Sequence, residues 1–178
     1  MAKIYTLNNK IVTVGGKWSE YVVSAPTPEP TPGPVGSYTV RCRFSSGYTP
    51  SIVSTQTLVD STNNVWDIYY PYSNWARLLY ACSDLIEVVD SNITGVDNLY
   101  NTFGYCTNLI NVPLLDVSTV TNMNWTFESC TNVQSGAYAL YQAGNSAGVQ
   151  EHDGCFYNCG SGTTTGAAEL AQIPVSWK

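Results

Sequence analysis

The residues best suited to metal chemistry are the single histidine and the cysteines near the C-terminus. His152, Cys155 and Cys159 could supply three ligands to zinc, with Cys42 or Asp153 as the fourth. Their spacing matches no CxxC pair, which is the usual mark of a zinc site. We therefore predict that the protein holds no metal and no cofactor.

Catalysis would require a nucleophile beside a base, or two carboxylates that share a cleft. The acidic residues are scattered singly and His152 is the only histidine, so we predict that the protein is not an enzyme.

The formal net charge is −6, and Arg77 and Lys178 are the only basic residues after position 43. Binding of nucleic acid requires concentrated basic residues, and crossing a bilayer requires about 20 consecutive apolar residues. We therefore predict that the protein binds no nucleic acid and does not associate with a membrane.

A dense aromatic cluster is the candidate ligand surface, and it comprises Tyr69, Tyr70, Tyr72 and Trp75. Exposed tyrosine and tryptophan side chains offer broad contacts at low entropic cost, which suits sugar rings and protein surfaces. Strand alternation, however, would bury Trp66 together with half of the tyrosines. The hydrophobic core therefore stays open as the alternative role for these rings.

One short sequence pattern recurs from Trp75 to Cys130, with Cys82, Cys106 and Cys130 spaced 24 residues apart. A fixed period of this length predicts units that bury their apolar faces against one another. Small thiols in equivalent positions favour a buried column of free cysteines. The predicted core comprises Leu79, Cys82, Leu85, Phe103, Cys106, Leu109, Phe127, Cys130, Phe156 and Cys159.

Within each repeated unit, the spacing of apolar residues is that of one helical face. Leu99, Phe103 and Cys106 stand at i, i+4 and i+7, and a segment rich in β-branched residues follows them. Each unit is therefore predicted to be a helix followed by a strand. The predicted fold class is α+β: a short solenoid of helix–strand units with a period of about 24 residues.

Other segments are predicted to close the two ends of this solenoid. SYTVRCRF, TQTLVD and VWDIYY predict strands of an N-terminal β cap over 37–74, before the repeats of 75–134. The last unit and a C-terminal cap would span 135–178. In that segment a helix is predicted from about Ala137 to Gln142, ended by Gly144, and a closing helix is predicted before Pro174.

The first 36 residues of the chain are predicted to hold a separate attachment segment and a linker. Residues 1–24 read as a hairpin with a turn at Asn8-Asn9, and prolines at every second position make 25–36 a stiff linker to the domain 37–178. The hairpin is too small to be stable alone, so we expect it to lie against another surface. Its predicted contact residues are Ile4, Tyr5, Leu7, Ile11, Val12, Val14 and Trp18.

Two stretches resemble known families. The units L-x-x-x-F-x-x-C-x-x-L, best preserved from Leu99 to Val133, resemble the BspA-type leucine-rich repeat of bacterial surface proteins. That resemblance implies a leucine-rich-repeat-like solenoid and adhesion to a carbohydrate or a protein. The opening MAKIYTLNNKIVTVGGKW resembles the short N-terminal anchors on virion proteins of phages that infect Bacteroides-type hosts.

Together these features predict a phage virion structural display protein, of the head-fibre or decoration type, on the virion surface. The N-terminal segment would bind a capsid or other virion protein, and the repeat domain would bind a host-surface glycan or protein. A homo-oligomer, if formed, would assemble through the anchor or the cap. Two alternatives stay open: a BspA-like adhesin on a bacterial cell surface, and a tail-associated receptor-binding component of a phage.

Overall fold

The computed structural model describes residues 4–7, 10–13, 39–52 and 55–178 of the chain. The chain divides into two compact units, Met1–Thr31 and Pro32–Lys178. In the first unit, strand β1 (Ile4–Leu7) pairs antiparallel with strand β2 (Lys10–Thr13). A hairpin is therefore present where the sequence predicts one.

The residues predicted to contact a virion protein fall partly on this hairpin. Ile4, Tyr5 and Leu7 belong to β1, whereas Ile11 and Val12 belong to β2. The other two predicted residues, Val14 and Trp18, lie outside the described residues, as does the proline-rich linker predicted over 25–36.

The second unit contains a four-stranded antiparallel sheet in the order β4-β5-β3-β6. Its strands are β3 (Thr39–Phe44), β4 (Thr55–Asp60), β5 (Val65–Tyr69) and β6 (Leu85–Asn92). The first three are the strands predicted for the cap, whereas β6 belongs to the segment predicted as the first repeat.

Strand β3 shows why its sequence forms the centre of a sheet with one buried face. Val40, Cys42 and Phe44 alternate along the strand and are buried in the core. On the opposite face Arg41 contacts Asp67 of β5 through two charge-assisted hydrogen bonds of 2.7 and 2.9 Å. The alternation of apolar and paired charged side chains fixes the face that this sheet turns to the core.

The predicted solenoid of helix–strand units is wrong. Among the described residues the α-helices are α1 (Ala137–Ala147) and α2 (Thr164–Gln172), and neither lies in the repeated region. Strand β6 pairs antiparallel with β3. Apart from β6, the repeated region is built largely from tight turns instead of helices. The turn segments 75–82, 99–106, 123–130 and 152–159 are named turn pairs here.

The second turn pair shows why no helix forms at the predicted helical spacing. Leu99 and Phe103 each open a four-residue turn, closed by the N–H groups of Thr102 at 3.0 Å and Cys106 at 3.1 Å. The third residues of these turns, Asn101 and Tyr105, have φ of 53° and 62°. A left-handed residue ends a right-handed helix, so the spacing of four comes from consecutive turns.

Backbone hydrogen bonds join each turn pair to the next one along the chain, and together the four pairs form what is called the turn ladder here. The N–H of Leu79 donates to Thr102 O at 2.9 Å, and the N–H of Phe103 donates to Thr126 O at the same distance. Side chains add bonds in the reverse direction, since Cys106 Sγ donates to Leu79 O at 3.1 Å. Thr102, Thr126 and Cys130 make equivalent side-chain bonds.

Stacked phenylalanine rings fill the centre of the turn ladder. The ring centroids of Phe103 and Phe127 are 5.0 Å apart, and those of Phe127 and Phe156 are 6.0 Å apart, with interplanar angles of 6° in both pairs. Leu79 holds the equivalent position in the first turn pair and is also buried. Trp177 follows Phe156 at 6.2 Å and covers this end of the stack.

Helix α1 extends beyond its predicted end at Gly144 and finishes at Ala147. Gly144 lies inside the helix. A β-carbon at this position would come within 2.7 Å of the Trp177 ring, so close packing requires glycine here. The glycine therefore serves close packing and does not end the helix. The predicted closing helix is present as α2 and is followed by a 3₁₀ turn, Val175–Trp177. Within the described ranges, neither helix has the length and apolar character needed to cross a bilayer.

Candidate ligand-binding surface

The predicted aromatic surface divides between the core and the outside of the molecule. Trp75 is only 1% exposed and belongs to the core, whereas Tyr72 is 61% exposed. Tyr69 and Tyr70 are half-buried, and the Tyr70 ring makes edge contacts with Tyr72 at 5.1 Å and with Trp75 at 6.5 Å. Tyr70 and Tyr72 therefore remain available at the surface, and Trp75 does not.

The residues predicted for the repeat core lie inside the turn ladder or against the sheet. Cys82 is half-buried, and all the others are buried: Leu79, Leu85, Phe103, Cys106, Leu109, Phe127, Cys130, Phe156 and Cys159. Each of the six cysteines of the chain is a free thiol.

Outward-facing side chains of the turn ladder form a second group of aromatic residues, named the aromatic strip here. It consists of Arg77, Tyr80, Tyr100, Tyr105, Trp125, Glu128 and Tyr157. The Arg77 guanidinium lies 5.3 Å from the centre of the Tyr80 ring and 5.9 Å from that of Tyr100. Such cation–π contacts stabilise exposed rings by about 0.5–1 kcal/mol.

Contacts between neighbouring turn pairs hold the rings of the aromatic strip in place. Tyr80 packs edge-on against Tyr105 at 5.6 Å. The Tyr105 hydroxyl donates to Glu128 Oε1 at 2.9 Å, and this hydrogen bond raises the pKa of the tyrosine. A ring that is already ordered loses less conformational entropy when a ligand binds to it.

The sequence places these side chains outward because every turn pair buries its fifth residue and the first three pairs also bury their first residue. The outward-facing side chains come from the second, third, sixth and seventh positions, although Asn101 and Gly104 at such positions of the second pair are buried. Those positions hold Arg77 and Tyr80 in the first pair, Tyr100 and Tyr105 in the second, and Trp125 in the third. The prediction of helices did not identify these outward-facing residues. The recurrence of aromatic residues at outward positions of the repeat could have indicated them.

A cavity of about 370 Å³ adjoins the aromatic strip. It is lined by Tyr48, Ser51, Ile52, Tyr70 and the first turn pair from Ala76 to Cys82. Burial first, and then the side-chain hydrogen bond shared with Cys82, raise the pKa of Tyr48 to about 12. Its hydroxyl therefore keeps its proton at neutral pH and can donate a hydrogen bond to a ligand.

The buried thiols are poor nucleophiles. Burial raises the pKa of Cys106 and Cys130 well above the ordinary value of 9.0, and neighbouring thiols add to the effect in both. The thiolate is the reactive form of cysteine, so these groups stay protonated and inert at neutral pH. Their contacts with backbone carbonyls give them a structural role.

The residues considered for zinc are used in other contacts. The His152 ring stacks on Trp177 at 4.2 Å, and its Nδ1 lies 3.0 Å from Ser176 O. Cys155 and Cys159 are buried. In the part of the chain that the structure describes, no three His, Cys, Asp or Glu side chains are grouped so that they could hold a metal ion.

Comparison with known proteins identifies no relative of this chain. No protein-family model matches it, no curated protein matches it, and no solved structure matches it. The aromatic strip and the adjoining cavity are therefore the features from which a function can be inferred.

Proposed function

We propose that the protein is a non-enzymatic display protein of a phage particle, of the head-fibre or decoration type. In this proposal residues 1–24 attach to a capsid or other virion protein, and the domain 37–178 faces outward on the virion surface. The observation that supports it is the division into Met1–Thr31 and Pro32–Lys178, with prolines at every second position around the boundary. A small unit, a stiff spacer and a larger unit are the parts that such display requires.

The proposed attachment uses the hairpin of the first unit. Strands β1 and β2 contain four residues each and pair with each other through four residue pairs. A two-stranded hairpin is marginally stable at best in water, so contact with a larger sheet would stabilise it. Addition of a strand to the edge of a partner's sheet supplies main-chain hydrogen bonds for affinity.

The proposed outward-facing ligand is a glycan or a protein on the host surface, bound through the aromatic strip. Single contacts of this type are weak. Many copies on one particle would raise the overall avidity by about 10² to 10⁴, because later contacts form at high effective concentration.

Deletion of residues 1–24 is expected to abolish association with particles and to leave the rest of the chain folded, because the core of the turn ladder lies in 37–178. The test is to purify particles after infection in the presence of the truncated or the complete protein, and to measure the bound amount by quantitative mass spectrometry. The control is the complete chain with Tyr157→Ala, which changes the aromatic strip and should associate normally.

Several outcomes of this experiment would contradict the proposal. Particles that retain the truncated protein would exclude the anchor. Recovery of the complete chain in a cell-envelope fraction and not on particles would favour a bacterial adhesin. Location on tails alone would favour a receptor-binding tail component over a head protein.

A further inference from the structure

The turn ladder has a direction, because its backbone hydrogen bonds between turn pairs all run the same way. The N–H groups of Arg77 and Leu79 donate to Tyr100 O at 2.9 Å and to Thr102 O at 2.9 Å. In a trans peptide the carbonyl of the preceding residue points opposite to the N–H. The carbonyl groups of Ala76 and Leu78 therefore point away from the second turn pair.

The two ends of the turn ladder differ as a result. At the C-terminal end the Phe156 N–H donates to Trp177 O at 2.9 Å, and the Trp177 ring covers His152. At the other end, no donor among the described residues reaches the carbonyl oxygens of Ala76, Leu78 or Tyr80. This N-terminal end, with its row of acceptors, is named the open end here.

The cavity described above lies at the open end. Ala76, Leu78 and Tyr80 line it, whereas no residue of the second turn pair does. Its volume of about 370 Å³ falls near the lower limit of small-molecule sites, which span roughly 300–1,000 Å³. The cavity therefore has room for one or two sugar rings and presents a row of acceptors to them.

A second copy of the chain does not suit the open end. Two open ends placed face to face would oppose carbonyl to carbonyl, and the C-terminal end of the turn ladder is covered by Trp177. A purely apolar ligand would leave the carbonyl groups without donors, which is costly once water is removed. A cationic ligand would be repelled by the guanidinium of Arg77, which also lines the cavity.

We infer that the open end is a saccharide-binding site. The hydroxyl groups of the sugar would donate to the carbonyl oxygens of Ala76, Leu78 and Tyr80. Tyr48 and Arg77 would donate to the ring or substituent oxygens of the sugar. The rings of Tyr70 and Tyr80 provide faces for stacking on its C–H groups. This inference rests on the proposed function in adhesion and assigns that function a ligand class and a location.

The test uses the complete chain and saturation-transfer NMR with the methyl glycosides of galactose, fucose, N-acetylglucosamine, N-acetylgalactosamine and N-acetylneuraminic acid. At least one glycoside is expected to bind. Ala76→Tyr should weaken binding by about tenfold or more because the ring fills the cavity. The fold should accept this change, since Tyr100 occupies the equivalent position in the second turn pair. Leu114→Ala, at an exposed residue outside the aromatic strip and the cavity, should bind like the unmodified chain.

A second variant keeps the test decisive if Ala76→Tyr lowers stability. Tyr70→Ala removes a half-buried ring from the cavity wall and should weaken the same glycoside several-fold. The inference is overturned if no glycoside binds, or if the cavity variants and Leu114→Ala lose binding equally. Binding of the cationic peptide trilysine at the open end, in place of the glycosides, would also overturn it. So would a dimer, detected by sedimentation, that Ala76→Tyr abolishes.

Failure of this inference is distinguishable from failure of the proposed function. A chain that associates with particles but binds no glycoside at the open end removes only the inference. A chain that binds a glycoside in a manner sensitive to Ala76→Tyr, but does not associate with particles, removes only the virion assignment.

Discussion

Replacing Phe127 with alanine is expected to lower the free energy of unfolding by about 3–5 kcal/mol, the usual cost of deleting a buried aromatic ring. The Phe127 ring is fully buried and stacks on Phe103 at 5.0 Å and on Phe156 at 6.0 Å. Its loss would leave a cavity in the middle of the turn ladder, bounded by two rings that hydrogen bonds hold in place. Urea denaturation followed by tryptophan fluorescence measures the change.

Leu114→Ala is the matched control for Phe127→Ala. Leu114 is 70% exposed, so its truncation should change the free energy of unfolding by no more than about 0.5 kcal/mol. Equal effects of the two substitutions would show that the phenylalanine stack does not carry the stability of the turn ladder.

Gly136→Ala is the second substitution with a large expected effect, a loss of about 2–5 kcal/mol. Gly136 precedes helix α1 with φ of 93°, in the left-handed region that disfavours a β-carbon by about 1–2 kcal/mol. An added β-carbon would also overlap the carbonyl oxygen of Val112, which is backbone and cannot swing away. The chain would have to shift, and forced overpacking costs roughly 1–3 kcal/mol more.

Gly148→Ala separates these two contributions. Gly148 follows the same helix with φ of 75°, but a β-carbon there would meet nothing within 4 Å. Only the backbone cost applies, so we expect a loss of about 1–2 kcal/mol in the same denaturation assay. If Gly136→Ala cost no more than Gly148→Ala, helix α1 would not pack closely against Val112.

Local patterns in the sequence were sufficient to predict the strands of the cap and the C-terminal helix. In β3 the alternation from Val40 to Phe44 matches the period of a half-buried strand, and in β5 a similar run follows a turn. Helix α2 ends at Gln172, shortly before Pro174, where proline prevents further helix. Each of these signals lies within the element that it predicts or directly beside it.

The prediction of helices in the repeated region was wrong because the same spacing of apolar residues occurs in a helix and in consecutive tight turns. Apolar residues at i and i+4 occur on a helical face, and they also occur when two four-residue turns follow each other. The difference lies in the third residue of each turn, which must adopt positive φ. Glycine at these positions would have indicated positive φ, because glycine adopts it readily. Instead the positions hold Asn101, Tyr105, Trp125 and Ser129.

The candidate site was predicted only in part, for the same reason. Tyr70 and Tyr72 lie at the surface as strand alternation allowed, whereas Trp75 opens the first turn pair and is buried. Arg77 and Tyr80 could be recognised as outward-facing only once the turns were known. The open end depends on the direction of hydrogen bonds between distant turn pairs, which no local pattern encodes.

Scalar couplings across hydrogen bonds test the turn ladder most directly, because they identify the donor and the acceptor of each bond. In the ¹⁵N,¹³C-labelled protein, the Phe103 nitrogen should couple to the carbonyl carbon of Thr126, and the Leu99 nitrogen should couple to that of Asn122. Coupling of the Phe103 nitrogen to the carbonyl carbon of Leu99 would instead indicate a helix in this segment. That result would contradict the turn ladder and the open end inferred from it.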